Sequence, residues 1–325
     1  MQRTPTITRP ESVEDLLKPD FLARLAQLDV SSRKIFTGKL KGERRSKRRG
    51  ESVEFADHRP YVSGDDLRHI DWNIYGRLDK LFLKLFLEEE DLSLHLVIDC
   101  SDSMDCGDPN KFLFAQRLAA ALAFIGLVNL NRVAVSALGD KAPREGAPPE
   151  LDKEGKPLPP TGLVSSIRDL RGKRRLNDLA AYICSIEPRG QTRFTDAAKR
   201  ISLTRRGRGV MVLVSDFLIK EGYEDGLRLL KGHGYDLYAI QVLSPQEMEP
   251  SIGGDLRLKD VEDGDAAEVT ISAPLIKKYK QTLNAFCNRL HEFCVQRDII
   301  HMTVKSDVAM DVLVLDYLRR RGLLR

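Results

Sequence analysis

One run constrains the fold more than any other. Leu92–Ile98 is a stretch of mostly apolar residues, broken only by Ser93 and His95, that stops abruptly at Asp99-Cys100-Ser101-Asp102-Ser103. A segment with apolar residues at both odd and even positions reads as a strand covered on both faces, which is the habit of parallel sheets flanked by helices. Such a strand ending in carboxylates and hydroxyls delivers a site, because open α/β sheets bind ligands just beyond the carboxyl ends of their strands.

The chain downstream repeats the alternation. Arg132–Leu138, Gly209–Ser215, Asp236–Leu243 and Ile299–Val304 read as further strands. Between them, helical patterns cover Lys111–Leu130, Arg174–Ile186, Phe194–Leu203, Glu221–Lys231 and Pro274–Arg297, with a last helix over Val308–Arg321. Asp108 and Pro109 look like the cap and first turn of the first of these. The sequence around Asp263-Gly264 suggests a two-stranded hairpin near 255–272. Strand–helix alternation predicts a mostly parallel sheet with helices on both faces, an α/β fold of Rossmann-like type. The expected organisation is an N-terminal extension over residues 1–91, packed on the sheet, and an α/β domain over 92–325 with the small hairpin inserted.

The extension begins with a proline-punctuated arm, residues 1–19, and a short helix from Asp20. Arg33–Gly50 then holds nine basic residues and one acid, Glu43. It reads either as a solvated surface or as an anion-binding patch; its single aromatic, Phe36, offers little for stacking single-stranded nucleic acid. Further on, Leu81–Leu87 reads as a strand and Trp72 as a core anchor. Asp65, Asp66, Arg68, Asp71 and Arg77 read as an ion-pair network rather than a reactive cluster.

Bulk composition excludes several classes. The 325 residues carry a formal charge of only +4, so net charge points to neither nucleic acid nor a membrane surface. Five cysteines without a CxxC pair argue against a zinc site and a disulfide framework, and favour a reducing cytoplasm. The polar, acid-bearing N-terminus is unlike a signal peptide. The charge-free run Leu118–Leu130 falls short of the roughly 20 residues a bilayer span needs and reads as a buried helix.

The turn after Leu92–Ile98 can be read chemically. Asp99, Ser101 and Ser103 place a carboxylate and two hydroxyls on one tight turn, and hard oxygens of this kind suit Mg²⁺ or Mn²⁺. Three ligands are too few. Thr192, in a turn before a helix, and Asp216, ending another apolar strand, lie where a parallel sheet brings them alongside. The plain alternative is that Ser101 and Ser103 merely cap a helix. A metal-dependent phosphohydrolase of haloacid-dehalogenase type is the enzymatic alternative, but it needs a second acid where Ser101 stands. No phosphate-binding glycine loop, HExxH or GxSxG is present.

Asp99, Ser101, Ser103, Thr192 and Asp216, in that order, resemble the metal-ion-dependent adhesion site of von Willebrand factor A domains. The stretches GERRSKRRGESVEF, RPYVSGDDLRHIDWNIYGR and LFLKLFLEEE, with VSDF around Asp216, resemble the bacterial family named only as domain of unknown function 58. The two resemblances imply a von Willebrand factor A-like sheet, a divalent cation, and a non-enzymatic protein-interaction role. The implied role is that of an adaptor working with a MoxR-type AAA+ ATPase in complex assembly or metal insertion. The implied partner offers a carboxylate to the metal. Phosphohydrolysis, and nucleic-acid association through residues 33–49, stand as the alternatives.

Overall fold

Every residue of the strand Ser93–Asp99 is buried, and a strand can be buried along its whole length only if both faces of its sheet are covered. The computed structural model describes residues 8–31, 54–63, 65–87, 92–139, 162–204, 209–232, 234–259 and 266–325. Its strands in chain order are β1 (Glu54–Pro60), β2 (Phe82–Leu87), β3 (Ser93–Asp99), β4 (Arg132–Leu138), β5 (Leu163–Leu170), β6 (Gly209–Ser215), β7 (Asp236–Leu243), β8 (Gly254–Lys259), β9 (Ala266–Ile271) and β10 (Ile300–Lys305). Six of them form one sheet in the order β10-β7-β6-β3-β4-β5. All neighbours run parallel except β5, which lies antiparallel to β4. The chain leaves β3 toward β4 and returns on the other side at β6, so the strand order reverses between β3 and β6.

Successive side chains of a strand point to opposite faces, and the core divides accordingly. Leu94, Leu96 and Ile98 join Val210, Val212 and Val214 against the helix Lys111–Val128. Val97, Met211 and Leu213 face the other way, with Phe194, Ala198, Leu227 and Leu290 from the helices Phe194–Thr204, Glu224–Gly232 and Ala273–Val295. Each large aliphatic side chain fully buried in this way contributes about 1.5–3 kcal/mol. The helix Lys111–Val128 is long and apolar enough to cross a membrane by length and composition, yet 83% of it is buried inside the protein. It sits so close to the sheet that a Cβ on Gly126 would come within 2.8 Å of Val133 Cγ2. Its cap is Asn110, which accepts a hydrogen bond from the Leu113 amide at 3.0 Å; the expected cap at Asp108 lies two residues too early.

Several expectations shift. The arm over 1–19 is not loose throughout: Ser12 and Asp15 form a capping box around the short helix Val13–Leu16, and Leu16 and Leu17 are buried in the sheet's core. Val30 bridges to Leu324 near the C-terminus. The compact units are therefore Met1–Thr37 with Leu92–Arg325, and Gly38–Asp91, rather than 1–91 and 92–325. β5 escaped the sequence reading because polar and charged residues interrupt it, as they can in an antiparallel edge strand only partly covered. β8 and β9 pair antiparallel; their connecting turn, with Asp263-Gly264, lies outside the described residues, as do residues 33–49 and 140–161.

In the smaller unit, β1 and β2 pair antiparallel. Asp71 caps the helix Trp72–Leu78 by accepting from the amides of Asn73 and Ile74, and also bonds His58 Nε2 at 2.9 Å. Arg59 grips Asp65 with two bonds of 2.8 and 2.7 Å, and Arg68 pairs with Asp66. The acidic–basic cluster is thus engaged in local ion pairs and caps, with Arg77 taking no part in these bonds. Trp72 is not a core anchor. It is 63% exposed and stacks edge-on against Tyr75 only one turn away.

Candidate functional site

β3 ends at Asp99 and β6 at Ser215, and the two strands are direct neighbours. Asp99 and Asp216 therefore emerge side by side at the carboxyl end of the sheet, where the strand order reverses and ligand crevices of α/β folds lie. Both are 1% exposed. Asp99 is held by three donors: the Ser101 amide at 3.0 Å and Thr192 Oγ1 at 2.7 Å on Oδ1, and Ser215 Oγ at 2.6 Å on Oδ2. Ser101 Oγ and Ser103 Oγ lie 2.9 Å apart. Four of the five residues singled out from the sequence are thus joined by direct hydrogen bonds, and Asp216 stands next in the chain to Ser215.

Helix capping does not account for the two serines. Ser101 precedes the single turn Asp102–Met104 but makes no side-chain capping bond there. Their hydroxyls are left facing each other.

The loop carrying Thr192 is fastened to this turn by Asp102 and Cys100, for which the sequence offered no role. Asp102 Oδ2 accepts from the Gly190 amide at 3.0 Å while its own amide donates to Gly190 O at 3.0 Å. The Arg189 amide donates to Cys100 O, and Cys100 Sγ bonds the Leu138 carbonyl. Thr192 is thereby delivered to Asp99 by two backbone bonds and the Asp102 carboxylate between two loops. On the third loop, Phe217 is buried with φ 60°, a left-handed conformation rare for a bulky residue. This turn lets the Leu218 amide donate to Asp216 Oδ1 at 3.0 Å.

The sequence reading missed Lys111. Its ammonium is fully buried, 2.8 Å from Asp216 Oδ2 and 2.6 Å from Glu247 Oε1. Glu247 closes a capping box with Ser244 directly after β7, a serine–x–x–glutamate spacing that the sequence does display. Nothing in the sequence marks Lys111, which looks like the polar first residue of an apolar helix. Burial works against its charge, but Asp216 and Glu247 outweigh that cost and raise its pKa. Asp99 has no cationic partner among its three bonds. Burial first, and the neighbouring Asp216 second, push its carboxyl upward despite those bonds.

Asp216 and Glu247 thus share one ammonium, while Asp99 faces Asp216 with no cation of its own. Additional positive charge would relieve the buried pair. Among the described residues no group of three or more His, Cys, Asp and Glu is placed to hold a metal. A cation here would depend on the hydroxyls of Ser101, Ser103 and Thr192 together with the two aspartates. That all-oxygen set fits Mg²⁺ or Mn²⁺. A cleft of about 160 Å³ opens over Ser103, Thr192 and Asp216, with Arg193, Lys220 and Glu221 among its walls.

Comparison with known proteins adds family but not function. The family model described as "Protein of unknown function DUF58" matches residues 57–286. Uncharacterised proteins of Mycobacterium bovis and Mycobacterium tuberculosis are each 26% identical, over 99% of this chain and 98% of theirs. Solved structures with some likeness include the conserved hypothetical protein BatB from Bacteroides thetaiotaomicron. It is 12% identical with TM-score 0.38, over 71% of this chain and 98% of that one. Another is an aerotolerance-related membrane protein from Bacteroides fragilis, 14% identical with TM-score 0.40, over 70% and 99%. The family match spans well over half of the sequence, and the chain belongs to the DUF58 family of proteins of unknown function.

Proposed function

We propose that this protein is a non-enzymatic, Mg²⁺-dependent protein-binding module with a von Willebrand factor A-like adhesion site. In this reading it acts as an adaptor for a MoxR-type AAA+ ATPase in complex assembly or metal insertion. The observation that carries the reading is the gathering of Asp99, Ser101, Ser103, Thr192 and Asp216 from three loops at the point where the strand order reverses. The bound cation would supply a Lewis-acidic bridge to a partner's carboxylate. Asp99, Ser101 and Ser103 hold it, while Thr192 and Asp216 ligate directly or through water. Lys111 occupies Asp216 Oδ2 through its ion pair, and Asp102 keeps the Thr192 loop fastened. The cleft over Ser103 and Thr192, with Arg193 and Lys220 on its wall, offers an acidic partner its approach.

Hydrolysis finds less support. The position two residues after Asp99 is a serine, and the nearby Cys100 thiol is buried and pushed well up, unfit to act as a nucleophile. The test is calorimetric titration of Mg²⁺ and Mn²⁺ into the wild-type chain and Asp99→Ala. Saturable binding that the substitution abolishes is expected. No binding to the wild type, or equal binding to both, overturns the reading.

A further inference from the structure

The sheet has a second feature, unrelated to Asp99. β10 is its last strand, paired on one side with β7 and on the other with no described strand. A groove of about 460 Å³ lies along it, lined by His301, Met302, Thr303, Val304 and Lys305 without interruption. Consecutive side chains of a strand point to opposite faces. A groove touched by five in succession therefore opens on the strand's free edge rather than on either face. Its walls belong to two helical segments: Cys287 and His291 from Ala273–Val295 on one side, Leu313, Tyr317 and Arg321 from the C-terminal turns on the other.

The backbone presents itself to that groove. The Ser306 amide donates to Leu243 O in β7. By the two-residue alternation of a parallel ladder, the even-numbered residues turn their N–H and C=O groups toward β7. His301, Thr303 and Lys305 then turn theirs outward. Unpaired edges of this kind are templates for another strand.

The side chains narrow the choice of occupant. The groove holds Lys305 and Arg321, both exposed, with His291 between the helix and the strand, and no carboxylate lines it. Buried His301 faces His291 through its Nδ1 at 3.3 Å, and its Nε2 has no hydrogen-bond partner. Buried polar atoms are seldom left so. Met302, Val304, Val308 and Leu313 supply apolar contacts.

We propose that the free edge of β10 is a docking groove for an extended, acidic segment of a partner protein, which adds to the sheet as a further strand. Main-chain bonds to His301, Thr303 and Lys305 supply affinity. Carboxylates of the segment meet Lys305 and Arg321, and its alternate apolar side chains rest on Met302 and Val304 or against Leu313.

The test uses the full chain and a fluorescent peptide of alternating Glu and Val, about six residues long, the usual length of a strand. Controls are a Lys–Val peptide and a Glu–Pro peptide, since proline has no N–H to donate. Saturable binding of the Glu–Val peptide alone is expected, with slowed hydrogen exchange at the amides of 301, 303 and 305. Lys305→Glu combined with Arg321→Glu, both at exposed positions, should weaken it roughly tenfold or more. Failure of the Glu–Val peptide to bind, equal binding of the proline peptide, protection confined to another part of the chain, or self-association through β10 would each overturn the proposal.

Discussion

Lys111 is where the candidate site departs most from what its sequence suggests. A buried ammonium between Asp216 and Glu247 stands in for part of the charge that the aspartates require. Removing one partner of a buried pair costs about 3–5 kcal/mol, because the other charge is left uncompensated. Lys111→Met is therefore expected to lower stability by about that much in chelator, measured by denaturant unfolding. It should also bind Mg²⁺ more tightly than the wild type by calorimetry, because Asp216 Oδ2 is released. Equal stability and unchanged Mg²⁺ binding would show that the lysine is incidental, and weaker Mg²⁺ binding would refute its competition for Asp216 Oδ2. Asp99 makes the opposite case. Its carboxyl is raised by burial and by Asp216, so Asp99→Asn should not lower the stability of the metal-free protein greatly. Mg²⁺ at a hundredfold excess over its dissociation constant stabilises a binding-competent fold by about 2.7 kcal/mol. Thermal unfolding should show this gain in the wild type and its loss in Asp99→Asn.

At the scale of elements, close approach matters more than amphipathicity. The helix Lys111–Val128 has apolar residues on nearly every side, so burial rather than a polar–apolar stripe places it on the sheet. Gly126 sets the distance, since a Cβ there would come within 2.8 Å of Val133. Gly126→Leu overpacks this contact and is expected to cost roughly 1–3 kcal/mol, read as a lower denaturation midpoint; an unchanged midpoint would refute the close fit. β10 carries a titration of definite sign. Burial, then His291 and Arg321, lower the His301 pKa to about 4 from its ordinary 6.5. The unfolded chain therefore takes up a proton that the native one resists, and stability falls as pH drops from 6.5 toward 4. Comparing unfolding midpoints at these two pH values, His301→Gln should show a smaller loss than the wild type. Strands β4, β6 and β7 matched the expected bounds residue for residue, because strands covered on both faces are mostly apolar in their interior. β1 and β5 carry polar and charged residues in their runs and left no such signature.

At the scale of the whole molecule, the proposed adaptor role makes a demand that no isolated site can meet: the partner must leave when the cation does. Immobilised wild-type protein should retain its MoxR-type ATPase in Mg²⁺ and release it in chelator, and Asp99→Ala should behave as chelated protein does. Retention unaffected by chelator would separate the ATPase from the Asp99 site. The division of the chain matters here too. Residues of the first stretch, such as Leu16 and Leu25, belong to the core of the sheet unit, so truncating the N-terminus would damage the fold as well as any partner surface.

Residue order by itself was enough to locate the central strands and the helices between them, and to single out five oxygen-bearing residues, four of which the fold joins by hydrogen bonds. Apolar-rich runs and abrupt polar stops are local signals, and the order of α/β connections is strongly restricted. Tertiary structure alone decided the rest. It alone shows that Asp102 and Cys100 fasten the Thr192 loop, that Ser215 shares Asp99, that Lys111 and Glu247 complete the charge, and that Trp72 faces outward. Each of these depends on a contact between residues far apart in the chain, or on which face is left uncovered, and local periodicity carries no record of either.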